Sequence, residues 1–408
     1  MRELTDADGR HEGGGDPAEV FRAALLLGLT SFGGPIAHLG YFHREYAERR
    51  RWLTEGTYLD LVALCQFLPG PASSQVGIGI GLLRAGWGGA LAAWLGFTLP
   101  SAIALTAFAL LTADLDLSGV GWVHGLKLAA VAVVAVAIVS MWRSMAPDWP
   151  RRGMAVAAAV VILLLPAAAL QVAVIGAGGL LGWGLLRELP PPTDAGGRSP
   201  IGPRLGLAAL GAFAVLLVGL PLVAELTGDH LVAMIESFYR AGALVFGGGH
   251  VVLPLLSESV VTPGWLDADT FIAGYGAAQA VPGPLFAVSA HLGASLRPEP
   301  NGVVGATIAL VAIFLPSFLL VAAALPFWHR LRRWPAFRGA LAGTNAAVIG
   351  LLMAALVDPL WTSTVTSVVD VALIGLGGAT LLLTRAPPWL VVATLALVAQ
   401  VAALAGLV

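Results

Sequence analysis

Long apolar runs, among them Leu128–Val139 and Val156–Leu165, set the first constraint on this chain. They are flanked by further small and apolar residues, and a bilayer core needs only ~20 mostly apolar residues per crossing helix. Only 11% of the 408 residues are charged, whereas a soluble domain carries about 25%. A chain so poor in charge cannot cover its own surface in water. The expected fold is an all-α polytopic membrane protein, with room for about a dozen membrane segments at roughly 30 residues each. The 22 basic and 24 acidic residues make no basic field, so nucleic acid is not an expected partner. Cys65 is the one cysteine, which removes any disulfide framework or cysteine metal cluster. Residues 1–20 carry Glu3, Asp6, Asp8 and Glu12 and lack the basic-then-apolar order of a cleaved signal.

The chain is doubled. Phe32-Gly33-Gly34 recurs as Phe246-Gly247-Gly248, Trp52 as Trp265, and Gln66-Phe-Leu-Pro-Gly-Pro71 as Gln279-Ala-Val-Pro-Gly-Pro284. Gly89-Ala90 with Leu99-Pro-Ser101 recurs as Gly305-Ala306 with Leu315-Pro-Ser317. The order is the same and the spacing nearly constant, the mark of an internal repeat. Residues 187–204 are polar and rich in proline and glycine, and read as a cytoplasmic linker. It divides an N-terminal repeat, residues 1–186, from a C-terminal one, residues 205–408.

At these landmarks the sequence resembles the chromate ion transporter family. The motifs that carry the resemblance are Ser31-Phe-Gly-Gly-Pro-Ile-Ala-His38, Gln66-Phe-Leu-Pro-Gly-Pro71, Phe246-Gly-Gly-Gly-His250 and Gln279-Ala-Val-Pro-Gly-Pro284. They cover roughly residues 20–355 and look like those of a long-chain, two-domain member. The resemblance implies export of chromate, a tetrahedral oxyanion similar to sulfate, from the bacterial cytoplasm across the inner membrane. Sulfate or another inorganic anion is the alternative cargo, and a homodimer is among the expected assemblies.

Loop charge predicts that the two copies are inverted. Cytoplasmic loops are enriched in Lys and Arg. The loop after the first Phe-Gly-Gly holds Arg44, Arg49, Arg50 and Arg51, whereas residues 255–268 of the second copy hold Glu258 and Asp267 and no basic residue. Residues 113–121 hold no basic residue, while 329–338 hold Arg330, Arg332, Arg333 and Arg338. Opposite bias at matched positions is what inverted repeats predict. A full crossing at residues 57–83 would reverse the charge rule twice. The conflict vanishes if this segment enters, breaks at Pro69-Gly70-Pro71 and returns, with arms of about 12 residues, or ~18 Å. The same reasoning makes hairpins of residues 231–262 and 17–48. The expected topology has four half-membrane hairpins and about nine crossing helices, with the linker and N-terminus inside. The alternative is that these motifs kink full spans.

Broken helices carry the candidate chemistry. A helix N-terminus offers unpaired N–H groups and about half a positive charge, in a setting where a full cation is expensive. Pro71 suits the start of a helix, and Ser73 and Ser74 add hydroxyl donors for a tetrahedral dianion, unless they bond their own helix backbone. The second copy has Leu285, Phe286, Ala287 and Val288 there, so the N-terminal site is the richer. Candidate substrate-binding residues are therefore Gly33, Gly34, Gln66, Gly70, Pro71, Ser73, Ser74, Lys127, Gly248, His250, Gln279, Gly283 and Asn345. Gln66 and Gln279 either cap carbonyls freed by the break or donate to substrate. Lys127, the one lysine, lies early in its span and either faces the cavity or snorkels outward. Arg240 is expected to pair with Glu236 one turn earlier. His38 and His250 are ligands or packed hydrogen-bonding residues. Asn345 lines the cavity or bonds between helices.

An enzyme is not expected, and a non-transporting membrane enzyme is the lesser alternative. No Gly-x-x-x-x-Gly-Lys-Ser/Thr loop, His-Glu-x-x-His or Gly-x-Ser-x-Gly pattern occurs, so neither an ATPase, a metal site nor a cofactor is indicated. Export needs no ATP: a dianion leaving a negative interior gains roughly 4.6 kcal/mol per 100 mV.

Overall fold

The structure, a computed structural model, describes residues 15–32, 34–113, 120–165, 168–186, 201–245, 252–328, 334–384 and 386–404. These are helical and contain no strand. Of the candidate residues, Gly33, Gly248 and His250 lie outside them, as do most of the linker and Arg330, Arg332 and Arg333.

The N-terminal half begins with α1 (Pro17–Thr30), α2 (Gly34–Phe42, continued by a π-helical stretch His43–Arg49) and α3 (Glu55–Phe67). It continues with α4 (Ala72–Thr112), α5 (Gly121–Met145), α6 (Trp149–Leu164) and α7 (Ala168–Leu185). The C-terminal half follows with α8 (Pro203–Thr227), α9 (His230–Leu244), α10 (Val252–Val260), α11 (Ala268–Ala280) and α12 (Val288–Ser295). It closes with α13 (Gly302–Ala324), α14 (Pro335–Ala355), α15 (Val368–Leu383) and α16 (Pro388–Leu404). Five spans, in α4, α5, α8, α13 and from α14 onward, are long and apolar enough to cross a bilayer. Nine crossings would also require α6, α7, α15 and α16, of 16, 18, 16 and 17 residues.

Although α4 has 41 residues, Ala85 (φ −141°) and Gly86 (φ 61°) break it. The chain then doubles back, because Gly81 meets the Gly89 carbonyl directly and approaches Ala93. Its first arm, residues 72–84, also lies antiparallel to α3: a Cβ at Gly79 would stand 2.7 Å from Leu61, the two being equally far from Gly70. Residues 55–84 thus form a helical hairpin with Gly70 at its tip. A comparable set of contacts surrounds Gly283: Gly274 on α11 meets His291 on α12, and Gly293 meets Gly305 where α12 hands over to α13.

Both ends of the first hairpin return to one end of the molecule. Glu19 at the start of α1 accepts from Arg50 (3.5 Å) and Arg84 (3.3 Å), and both guanidiniums lie over the Trp52 ring, 5.2 and 5.3 Å from its centroid. Buried Glu45 accepts from Arg50 (2.6 Å) and Arg49 (3.0 Å). Burial pushes the Glu45 carboxyl up, but hydrogen bonds and charge from the two arginines outweigh it and hold it below the ordinary carboxylate range. The arginines that loop charge assigns to one face therefore clamp the turn at residues 84–88 to that same face. We predict that Trp87→Cys and Arg51→Cys, both at exposed positions in a chain whose Cys65 is buried, react with an impermeant thiol reagent from the same side of the membrane. Labelling from opposite sides would sink the hairpin topology in favour of kinked full spans.

The halves interlock instead of forming two lobes. The α5 helix packs on α15 and α16 of the other half, and α14 packs on α6 and α7. The second arm of α4 and its repeat equivalent α13 run antiparallel: Trp94 meets Phe314 and Phe318, while Leu110 lies at Gly302. An apolar crevice of about 350 Å³ lies between them. Its polar lining is Thr106 and Thr307, whose hydroxyls donate to their own helices at Ala102 (2.7 Å) and Val303 (2.8 Å). It offers nothing to an oxyanion.

Candidate functional site

Capping chemistry distinguishes the ends of the hairpin helices. At their bases, side chains satisfy the first free amides: Thr54 accepts from the Thr57 N–H (3.2 Å) before α3, and Asp267 accepts from the Thr270 N–H (2.7 Å) before α11. At the tips, Pro71 and Pro284 occupy the cap position and no side chain caps the helix. A helix start leaves its leading amides without intrahelical partners, and in α4 the ladder begins only with the Gln75 N–H donating to the Pro71 carbonyl (2.9 Å). The Ala72, Ser73 and Ser74 amides are therefore presented at the tip.

Each tip is held by the opposite half. The Gly70 N–H donates to the Val245 carbonyl (2.6 Å), at the C-terminus of α9, and the Gly283 N–H donates to the Ser31 carbonyl (3.0 Å), at the C-terminus of α1. Both glycines need positive φ, +116° and +102°. A Cβ at Gly70 would lie 2.7 Å from Gln75 Nε2 and 3.2 Å from Ser317 Oγ; one at Gly283 would lie 2.9 Å from Ser101 Oγ. Each Pro-Gly-Pro turn thus sits against the Leu-Pro-Ser segment of the other half. In α1 and the second arm of α4, which run side by side in parallel (Pro17 near Gly88, Gly28 near Gly96 and Phe97), this level falls near the middle of a long apolar span.

The first tip gathers polar groups that the protein leaves unpaired. Ser73 and Ser74 are buried, and His38 Nδ1 lies 3.3 Å from Ser73 Oγ. The hydroxyl oxygens of Ser74 and Ser317, with Gln75 Oε1 and His38 Nε2, are buried without a hydrogen-bond partner, as is that of Ser31, whose carbonyl holds the Gly283 tip. Phe42 rests near Gly77 and edge-on to Phe97, itself edge-on to His38, so α2 runs parallel to the first arm of α4. The uncapped start of α4 and the start of α2, at Gly34 (φ +78°), therefore lie at a similar depth. The second tip is poorer: Leu285, Phe286 and Ala287 are buried there, and Ser289 is the first hydroxyl.

The other candidate residues are spread more widely. Capping of the broken turn belongs to Gln75, whose Nε2 donates to the Pro69 carbonyl (2.6 Å), while Gln66 is exposed on α3. Gln279 is half-buried, with its side chain at the Tyr275 hydroxyl. Lys127 is buried and paired with Asp269 at the entrance to the second hairpin (2.5 Å). Arg240 pairs with Glu236 as its spacing predicts (2.6 Å) and also reaches Ser259 (3.4 Å). Asn345 sits half-buried on α14, whose neighbours are α5, α6, α7 and α10. No three His, Cys, Asp or Glu side chains among the described residues are placed to hold a metal ion. Gln75 and Ser317 escape sequence reasoning as site residues; the only signal for Ser317 is its place in the repeated Leu-Pro-Ser.

An all-helical bundle with several membrane-length apolar spans and its unpaired polar groups gathered at broken helices is a polytopic membrane protein of the transporter type. The chromate transporter family matches it twice, over residues 18–183 and 232–401, and the chain belongs to that family of ion transporters. It is 28% identical over 338 residues to the chromate transport protein of Cupriavidus metallidurans, covering 82% of this chain and 80% of that one. It is 29% identical over 354 residues to the chromate transport protein of Pseudomonas aeruginosa (83% and 80% covered). It is 27% identical over 339 residues to a probable chromate transport protein of Synechococcus elongatus (82% of each). No solved structure matches the chain.

Proposed function

We propose that this protein exports a tetrahedral oxyanion, chromate by its likeness to the relatives above, through the cytoplasmic membrane by alternating access about the Pro69-Gly70-Pro71 tip. The observation that carries this reading is the uncapped start of α4, with the buried, unpartnered Ser74 hydroxyl beside it. Backbone amides and hydroxyls hold a dianion at mid-depth without the cost of a bare cation. The alternation rests on the inverted repeats that loop charge predicts; the antiparallel run of α13 against the second arm of α4 and the hold of each tip by the other half support it. The anion leaves down the membrane potential, or in exchange for another ion. Sulfate shares the shape and charge of chromate and competes for the same donors.

The test is flux in vesicles containing the purified protein. An imposed potential should drive chromate movement that sulfate inhibits; no potential-dependent movement of either anion would defeat the mechanism. Ser73→Ala combined with Ser74→Ala is expected to raise the KM for chromate about tenfold or more, as for loss of hydrogen bonds to a charged group, with expression retained. Lost expression with unchanged KM would instead assign both serines to folding.

A further inference from the structure

Ser317 and Ser101 occupy equivalent places in the two repeats, each after the proline of a Leu-Pro-Ser segment and each against the Pro-Gly-Pro glycine of the other half. Their hydroxyls are spent differently. Ser101 Oγ donates to the Thr98 carbonyl at 3.0 Å. Ser317 is wholly buried on α13 and its Oγ has no partner. Buried polar groups in native structures are nearly always paired, and each exception asks for a reason. A serine on a helix commonly donates to its own backbone, as Ser259 does to the Leu255 carbonyl at 2.7 Å; Ser317 does not. It lies 3.2 Å from the Cβ position of Gly70, at the tip where Ser74 Oγ is likewise buried and unpaired.

Resting on the reading of that tip as the oxyanion site, we propose that Ser317 is a substrate ligand supplied by the C-terminal half. The α4 amides and Ser74 donate to the tetrahedral anion from the N-terminal half, and Ser317 donates to it from across the interface. An acceptor on every oxygen lets one dianion satisfy both sets of donors at once. The anion then bridges the two halves at the place where the Gly70 N–H now reaches the Val245 carbonyl, and its affinity depends on how the halves are set against each other. The pseudo-equivalent Ser101 contributes nothing of this kind, because its hydroxyl is already committed.

The experiment compares Ser317→Ala with Ser101→Ala in vesicles, measuring chromate KM and kcat together with the melting temperature of each purified protein. Ser317→Ala should raise KM about tenfold and leave the melting temperature unchanged or higher, because it removes a buried hydroxyl that has no partner. Ser101→Ala should leave KM unchanged. Ser317→Cys, of similar size and a weaker donor, should fall between wild type and alanine, and it provides the test if the alanine variant fails to insert. An unchanged KM in Ser317→Ala, or a KM rise matched by Ser101→Ala, overturns the assignment. So does a lowered melting temperature with KM unchanged, the signature of a packing residue. Absence of chromate and sulfate flux in the wild type would instead defeat the tip as an oxyanion site, and is read separately.

Discussion

Replacing Gly70 by alanine is expected to reduce chromate transport more than tenfold while the protein still reaches the membrane. At φ +116° a side chain meets its own backbone, a strain of about 1–3 kcal/mol. The added methyl would also stand 2.7 Å from Gln75 Nε2 and 3.2 Å from Ser317 Oγ. Gln75 cannot swing aside freely, because that nitrogen donates to the Pro69 carbonyl at the helix break. Nor can the tip shift without stretching the 2.6 Å bond from the Gly70 N–H to Val245. All of these adjustments fall on the start of α4, where the substrate donors lie, and a tenfold effect needs only about 1.4 kcal/mol. Gly153→Ala is the matched control: that glycine is helical, with open space where a Cβ would stand, and transport should be unaffected. Wild-type chromate kinetics in Gly70→Ala would remove the first tip from the substrate path.

Much of this architecture is legible in the sequence, because it follows from local rules. Apolar run length marks the spans, and the sign of loop charge predicts that residues 57–83 turn back. The proline-glycine-proline breaks then locate the turn, and the structure has a hairpin there, with Leu61 facing Gly79 across Gly70. What escaped was whatever depends on helix phase or on the other half. Gln66 and Gln75 both flank the break, yet only the residue in the first turn of α4 faces back to the Pro69 carbonyl; one residue of rotation decides it. Ser317 meets Gly70 only because α13, from the other half, packs against the first tip, and the one trace of that contact in the sequence is the repeated Leu-Pro-Ser. The linker divides the two repeats in the sequence, but α5 and α14 exchange partners between the halves, since small residues on each let the foreign helices approach closely. Gly125 against Ala396 and Gly343 against Gly178 are two such places.

Lys127 is the sharpest case of a partner hidden in the other half, and its pairing yields a prediction that separates two roles. It lies six residues into α5, about 9 Å from the helix start, with its side chain 9% exposed against 42% for Asp269. Removing one member of a buried ion pair is costly because the survivor is left unpaired, up to about 3–5 kcal/mol when that survivor is fully buried. The exposures make the two deletions unequal. After Lys127→Met the carboxylate of Asp269 can take up water, so the loss should be modest. After Asp269→Ala the buried ammonium is stranded, and both melting temperature and transport should fall steeply. If the pair is a strut between α5 and the second hairpin, the double variant Lys127→Met with Asp269→Ala removes the stranded charge and recovers most of what Asp269→Ala alone loses. If Lys127 instead binds the transported anion, Lys127→Met raises the KM for chromate by itself, and the double variant is no better than that single one. Melting temperature and chromate KM, measured on all three variants, decide between a strut and a ligand; the 2.5 Å pairing favours the strut.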